Sequence, residues 1–118
     1  MQYMLLIYSE ESDTQPSEEM QTEVFAAYMA YNDALKKADA YVAGDALLPT
    51  ATATTVRVRG SEQLVTDGPF AETTEALGGY YLVEAKDIDE AVKWAKECPG
   101  SKYGTVEVRP VMVIPGVD

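Results

Sequence analysis

Residues 78–95, GGYYLVEAKDIDEAVKWA, hold a strand and a helix in direct succession. The first half is rich in aromatic and branched side chains, which favour a β-strand. Because side chains alternate along a strand, Tyr80 and Leu82 share one face, and Tyr81 and Val83 share the other. Apolar residues on both faces predict a strand that is covered on both sides.

The second half of this stretch carries a helix start. Asp87 is followed three residues later by Glu90, the pattern of a capping box with Asp87 as N-cap. The helix is expected to end near Cys98-Pro99-Gly100. Its inward residues are predicted to be Ile88, Ala91, Val92 and Ala95.

The N-terminal third has the same strand-then-helix order. Residues 3–8 are apolar and aromatic and predict a buried strand. A helix over residues 17–40, stopping before Gly44, is predicted from Pro16 and the acidic residues at its start. Its apolar stripe consists of Met20, Val24, Ala27, Tyr28, Tyr31, Leu35 and Ala38.

Between these halves lies a predicted hairpin. TATTVRVR and EQLVT alternate in polarity around Gly60-Ser61, which suits a two-residue turn and places Arg59 opposite Glu62. Residues 47–52 are interpreted as a connector around Pro49. A last strand is predicted over residues 104–114, and Pro110 requires it to be an edge strand or to bulge.

The resulting order, β-α-β-β-β-α-β, predicts an α+β ferredoxin-like domain over residues 1–118, a split βαβ arrangement in which the hairpin adds a strand to the usual four. Each helix has a single apolar stripe, so both are expected on one face of the sheet. The other face carries apolar residues, and in a monomer these would be exposed to solvent. A homodimer is therefore predicted.

Composition excludes several functions. The 118 residues carry a net charge of −11, and the nine Lys and Arg are scattered, which argues against nucleic-acid binding. The apolar run at the N-terminus is too short for a signal peptide or a membrane span, so no membrane partner and a cytoplasmic location are expected. With no His in the sequence, imidazole metal sites and His-dependent nucleophiles are impossible. The lone Cys98 fits a reducing compartment and is interpreted as a small apolar residue rather than a reactive thiol.

Residues 67–75, DGPFAETTE, resemble the signature of the DGPF family, a branch of the YCII-related domain proteins, usually seen as DGPFAETKE. The resemblance is collinear over nearly the whole chain, through MQYMLLIYSEE, ATATTVRVRG, LVTDGPFAET, LGGYYLVEAKDIDEAVKWA, CPG and GTVEVRPVM. Thr74 stands where the motif has Lys, so a role for that lysine does not carry over. The His–Asp pair suspected in the YCII branch cannot exist here.

The resemblance implies a ferredoxin-like domain that dimerises through its sheets into an α+β barrel. Relatives with that barrel include muconolactone isomerases, heme-free monooxygenases and dehalogenating enzymes. DGPF proteins also occur beside sigma factors of the extracytoplasmic-function type. No cofactor is implied.

The signature has two interpretations. Asp67, Gly68 and Pro69 can simply shape a turn, with Phe70 filling the core or a dimer interface. Alternatively, Asp67 is a general base or acid, Glu72 the second carboxylate, and Phe70 an apolar wall for substrate. A cation held by Asp67, Glu72 and Glu75 is a third option, but their spacing matches no metal motif, and no metal is expected.

Two further residues are candidates for substrate binding. Tyr81, like Tyr8 and Tyr80, is typical of a core or interface aromatic, but its hydroxyl can orient a substrate. Arg109 shares a face with Glu107, where an ion pair is the ordinary interpretation, and an anchor for an anionic ligand is the alternative.

Two functional hypotheses follow from these residues. The first is a YCII-related small-molecule protein that performs acid/base chemistry of the isomerase, lyase or dehalogenase type. The second is a non-catalytic regulatory or binding module of a sigma-factor pathway. A site for the first is expected where residues 67–75 meet the strand bearing Tyr80 and Tyr81, since Gly78 and Gly79 allow close approach of a ligand or another backbone.

Overall fold

A computed structural model describes residues 1–12 and 14–117 of the chain. It contains six strands and three α-helices, with a 3-10 turn at Thr50–Thr52. In chain order these elements are β1 (Gln2–Ser9), α1 (Glu18–Lys37), β2 (Tyr41–Ala46), β3 (Thr54–Arg59), β4 (Glu62–Asp67), β5 (Ala76–Glu84), α2 (Ile88–Glu97), α3 (Gly100–Tyr103) and β6 (Thr105–Pro110).

Four of the strands form one antiparallel sheet in the order β2-β5-β1-β6. The units β1-α1-β2 and β5-α2-β6 interleave in it, which is the split βαβ arrangement. The predicted α+β ferredoxin-like fold is thus confirmed. As Pro110 requires, β6 is an edge strand of this sheet, although it ends at Pro110 and not at residue 114.

Two details of the sequence prediction are wrong. β2 was not predicted: it lies between the expected end of the helix at residue 40 and the expected connector over residues 47–52. The hairpin does not join the main sheet: β3 and β4 pair with each other as a separate two-stranded sheet, in the predicted register with Arg59 opposite Glu62.

Both long helices begin at a capping side chain, of which only Asp87 was predicted. Ser17 Oγ accepts a hydrogen bond from Met20 N–H (3.1 Å), and Asp87 Oδ1 accepts one from Glu90 N–H (2.9 Å). The Glu90 carboxylate reaches back to Lys86 N–H at 3.2 Å, one residue before the expected partner. These contacts satisfy amide groups that a helix start leaves without partners.

The core lies between the helices and one face of the sheet. Its fully buried side chains are Leu5, Leu35, Val83 and Cys98. Burial of Cys98 raises the pKa of its thiol and confirms its interpretation as an apolar residue. Within α2, Ala91 and Ala95 are buried as predicted, whereas Ile88 is exposed.

The opposite face of the sheet carries no helix. Met4 pairs with Leu82 and Leu6 with Tyr80, which places these four side chains together on that face, and each is partly exposed. We call this surface the open face. Its apolar character agrees with the surface for which a covering partner was predicted.

Candidate functional site

A cleft of about 580 Å³ lies between the N-terminal half of α1 and the β2–β5 side of the sheet. It exists because the apolar stripe of α1 is only half covered. Tyr31 and Leu35 are buried against the sheet, but Met20 is 44% exposed and Phe25, at the mouth, 69%. The first turns of α1 therefore stand away from the sheet, and the cleft occupies the gap.

Two glycines shape the wall on the sheet side. A Cβ on Gly44 would lie 2.7 Å from Cδ1 of Tyr81, so the Tyr81 ring rests directly on the β2 backbone. A Cβ on Gly79 would lie 3.0 Å from the carbonyl oxygen of Asp45, so Gly79 lets β5 and β2 approach closely. Gly78 and Gly79 both line the cleft, at the position where glycines were expected to admit a ligand.

Tyr81 is the centre of an aromatic cluster behind the cleft. Its ring centroid is 5.2 Å from that of Tyr31, 6.4 Å from Tyr41 and 6.5 Å from Tyr28. The Tyr31 hydroxyl donates to the Trp94 carbonyl at 2.7 Å and ties the cluster to α2. Burial raises the pKa of Tyr81 to about 12 and also raises the pKa values of Tyr28 and Tyr31, so these phenols are neutral at physiological pH.

One polar atom of the cleft has no protein partner among the described residues. Asn32 Oδ1 is buried, and no described group donates a hydrogen bond to it. Asn32 follows Tyr28 by one turn of α1 and belongs to the cleft lining. A buried acceptor without a donor costs about 1–3 kcal/mol, so a bound hydroxyl or N–H group would be stabilised there.

The carboxylate in the cleft lining belongs to Asp45. Asp45 pairs with Tyr80 in the β2–β5 register, and Tyr80 faces away from the helices. The Tyr80 hydroxyl donates to Asp45 Oδ2 at 2.8 Å, and this hydrogen bond raises the pKa of Tyr80. The cleft is therefore largely apolar, and its polar groups include Asn32 Oδ1 and the hydrogen-bonded pair of Asp45 and Tyr80.

The structure places the sequence-predicted site residues in three regions. Tyr81 lies in the cleft wall, and Arg109 pairs with Met4 on the open face. Asp67, Phe70 and Glu72 lie at the base of the β3–β4 hairpin and in the loop after it, all exposed. Within one protomer these three regions do not form one site. Among the described residues no carboxylate forms an ion pair with Arg109.

The turn at Asp67-Gly68 is held by backbone and threonine contacts. Gly68 has φ +99°, a conformation that favours glycine. Its N–H donates to the Ala53 carbonyl at 2.7 Å, and its carbonyl accepts from Thr55 Oγ1 at 2.7 Å. Phe70 is 78% exposed, so it does not fill the core of its own protomer; its role at an interface stays a prediction.

Glu75 has a structural partner. Thr105 Oγ1 donates to Glu75 Oε1 at 2.8 Å and fastens the end of the loop to the start of β6. Within residues 1–12 and 14–117, no three Asp, Glu or Cys side chains gather as a metal ion would require. The same ranges contain no helix long and apolar enough to cross a membrane.

Sequence reasoning did not find the cleft residues on α1. One signal was available: Asn32 is a polar residue one turn after Tyr28 and next to Tyr31, on the apolar side of the helix. A polar side chain at a core-facing position needs a partner, and that need marks a candidate site. The cleft itself depends on the tilt of α1 relative to the sheet, and the hydrophobic periodicity of the sequence does not reveal that tilt.

Comparison with known proteins agrees with this fold. The YCII-related domain family matches residues 1–115, and the chain belongs to that family. A relative in Rhizobium meliloti (strain 1021), named Uncharacterized protein R00369, is 35% identical, and the match covers 94% of this chain and 92% of the relative.

A solved structure shows the same fold at low sequence identity. It is the 5-chloro-2-hydroxyhydroquinone dehydrochlorinase TftG from Burkholderia phenoliruptrix AC1100, in complex with 2,5-dihydroxybenzoquinone. The TM-score is 0.54 with 16% identity, and the match covers 95% of this chain and 94% of that one. At this identity the similarity concerns the fold alone.

Proposed function

We propose that this protein binds a compact, largely apolar small molecule in the cleft beneath α1. The observation that carries the proposal is a cavity of about 580 Å³ with an unpartnered acceptor, Asn32 Oδ1, in its wall. Small-molecule sites are typically apolar concavities of roughly 300–1,000 Å³ with a few placed polar groups. The cleft has that size and that balance.

The wall chemistry defines the class of ligand. Tyr28, Tyr41 and Tyr81 offer aromatic surface, which favours a flat, unsaturated or aromatic molecule. Asn32 Oδ1 favours a ligand that carries a hydroxyl or N–H donor. The ligand of the TftG complex, 2,5-dihydroxybenzoquinone, is a compact ring with hydroxyl groups. It is a suitable first probe for this cleft.

The reaction that we propose is acid/base chemistry of the isomerase, lyase or dehalogenase type. Asp67 exchanges a proton with the ligand, and Glu72 orients the ligand or balances its charge. Since Asp67 and Glu72 do not line the cleft of their own protomer, the proposal requires a second subunit to bring them to the ligand. A homodimer that covers the open face, where Arg109 lies, provides that subunit. Because the cleft and the open face lie on opposite sides of the sheet, the second subunit has to reach the ligand around the β2 edge.

Replacement of Asn32 by Leu tests the ligand site. The Asn32→Leu variant removes a buried acceptor without a donor, so its free energy of unfolding is expected to equal or exceed that of the wild type. Binding of compact phenols and quinones, with 2,5-dihydroxybenzoquinone first, is expected to weaken about tenfold or more, the cost of one lost hydrogen bond. Titration calorimetry measures the affinity, and urea denaturation measures the stability.

Asp33→Leu, at the adjacent exposed position of α1, is the matched control and is expected to leave the affinity unchanged. If the wild type binds no member of the panel, the ligand proposal fails. If it binds and Asn32→Leu binds equally well, Asn32 does not contact the ligand.

The Asp67→Asn variant tests the chemistry separately. Asp67 is exposed, so the melting temperature is expected to stay within a few degrees of the wild type. Turnover of a bound ring substrate, followed by its absorbance, is expected to fall roughly 10²- to 10⁴-fold, the contribution of a general base. Unchanged turnover, or loss of the fold, would show that Asp67 only shapes the turn.

A further inference from the structure

The hairpin formed by β3 and β4, residues 54–67, projects from the rest of the molecule. We call it the arm. Every residue of the arm except Thr55 is exposed, and the two strands pair only with each other. A two-stranded hairpin is marginally stable in water unless its apolar side is covered. The arm therefore lacks the support that such a unit requires.

The arm has one apolar face. Val56 pairs with Val65, and Val58 lies two residues along the same strand, so these three side chains share a face. They are 62%, 68% and 55% exposed. The opposite face carries Arg57, Arg59 and Glu62, together with Leu64. A strand pair with this division normally packs its apolar face on a core and leaves the charged face in water.

The exposed surface of the whole chain is too large for a monomer of its mass. The chain exposes 8862 Å², whereas a compact monomer of 12.9 kDa exposes roughly 6,300 Å². The radius of gyration is 16.6 Å, against about 13.5 Å for a compact domain of this length. The excess of roughly 2,500 Å² per chain, or about 5,000 Å² for two chains, lies at the upper end of the total area that obligate homodimers bury.

We propose that the apolar face of the arm packs against a second copy of this chain. The inference extends the homodimer of the proposed function, because it adds the arm to a contact made through the open face. In the arm, Arg57 and Arg59 balance Glu62 and Asp67, so the net charge of −11 resides in the rest of the chain. A neutral arm adds no charge repulsion of its own to the contact with an acidic second copy.

The same packing involves the sequence-predicted carboxylate. Asp67 pairs with Thr54 and thus lies on the valine face of the arm, at its base. Phe70, three residues later, is a further exposed apolar side chain. The second copy therefore covers the part of the chain that carries the DGPF signature. This arrangement gives Asp67 access to a subunit other than its own.

Sedimentation equilibrium of the double variant Val56→Asp, Val65→Asp tests the arm. The wild type is expected to be a dimer at micromolar concentration, and the variant is expected to dissociate at least tenfold more readily. Thr66→Asp, at the neighbouring position on the charged face, is the matched control and is expected to remain a dimer. Leu82→Asp, on the open face, tests the sheet contact independently.

Hydrogen exchange of the wild type at several concentrations provides a measurement without any variant. Arm amides are expected to be protected in concentrated samples and to lose protection on dilution. A wild type that is monomeric overturns both the arm inference and the homodimer. Two results with a dimeric wild type would overturn the arm inference alone. One is a double variant that dimerises as well as the wild type, and the other is hydrogen-exchange protection of the arm amides that does not change with protein concentration. If Leu82→Asp alone has no effect, the open-face contact fails and the arm contact stands.

Discussion

The Gly104→Ala variant is expected to lose about 3 kcal/mol or more of its free energy of unfolding, because two backbone segments would collide. A Cβ on Gly104 would overlap the carbonyl oxygen of Tyr8 and lie 3.1 Å from Cα of Ser9. No side-chain rotation relieves an overlap with backbone. Strands β1 and β6 would have to separate where they pair at Tyr8 and Thr105.

Thermal unfolding measures this effect, with an expected fall in melting temperature of roughly 10 °C or more. Gly78→Ala is the matched control, because a Cβ there would meet only the Ile7 carbonyl oxygen at 3.9 Å, an ordinary contact. The control is expected to unfold close to the wild-type temperature. Equal melting temperatures for the two variants would mean that the chain shifts easily at Gly104.

The elements that the sequence predicted correctly are those fixed by local chemistry. A cap such as Asp87 satisfies amides within three residues, so its pattern is visible in the sequence itself. The alternation around Tyr81 and Val83 likewise reports burial on a strand, wherever its neighbours come from. These signals were enough to place five of the six strands and both long helices in order, and that order indicated the fold class.

β2 was missed because its residues depend on a distant contact. The strand reads YVAGDA, in which Ala, Gly and Asp are poor strand formers. Gly44 is compatible with the sheet because the Tyr81 ring of the neighbouring strand covers it. That contact spans 37 positions of the chain and leaves no local pattern.

The candidate site shows the same limit. The signature around Asp67 and Phe70 could be found in the sequence, but its position at the base of a projecting arm could not. An alternating strand is compatible with the main sheet or with a separate hairpin, and only tertiary packing selects between them. In the proposed homodimer, the surroundings of Asp67 depend on two chains, and the sequence of one chain does not encode them locally.

Alkaline pH is expected to unfold this protein through its buried phenols. A tyrosine is neutral when protonated, so a raised pKa means that the folded chain holds the proton more tightly than the unfolded chain. Burial raises the pKa of Tyr81 from 10.0 to about 12 and raises those of Tyr28 and Tyr31 as well. The stabilisation is complete below pH 10 and is lost as the pH rises through 12. Circular dichroism and the absorbance of ionised tyrosine near 295 nm are expected to change together in this range.

The Tyr81→Phe variant isolates the contribution of one phenol. It keeps the ring that packs on Gly44 and among the other tyrosines, so stability at pH 7 is expected to change little. The variant has no phenol at position 81 that could ionise above pH 10, so its unfolding midpoint is expected at a higher pH than that of the wild type. The expected gain in its free energy of unfolding, relative to the wild type, is at most about 1.4 kcal/mol per pH unit. Tyr103→Phe removes an exposed phenol and is expected to unfold at the wild-type pH. If both variants share the wild-type midpoint, alkaline unfolding has another origin. If Tyr81→Phe unfolds at a higher pH than the wild type, the aromatic cluster behind the cleft stays packed and excludes water until its phenols ionise. A rigid wall of a ligand site requires this behaviour.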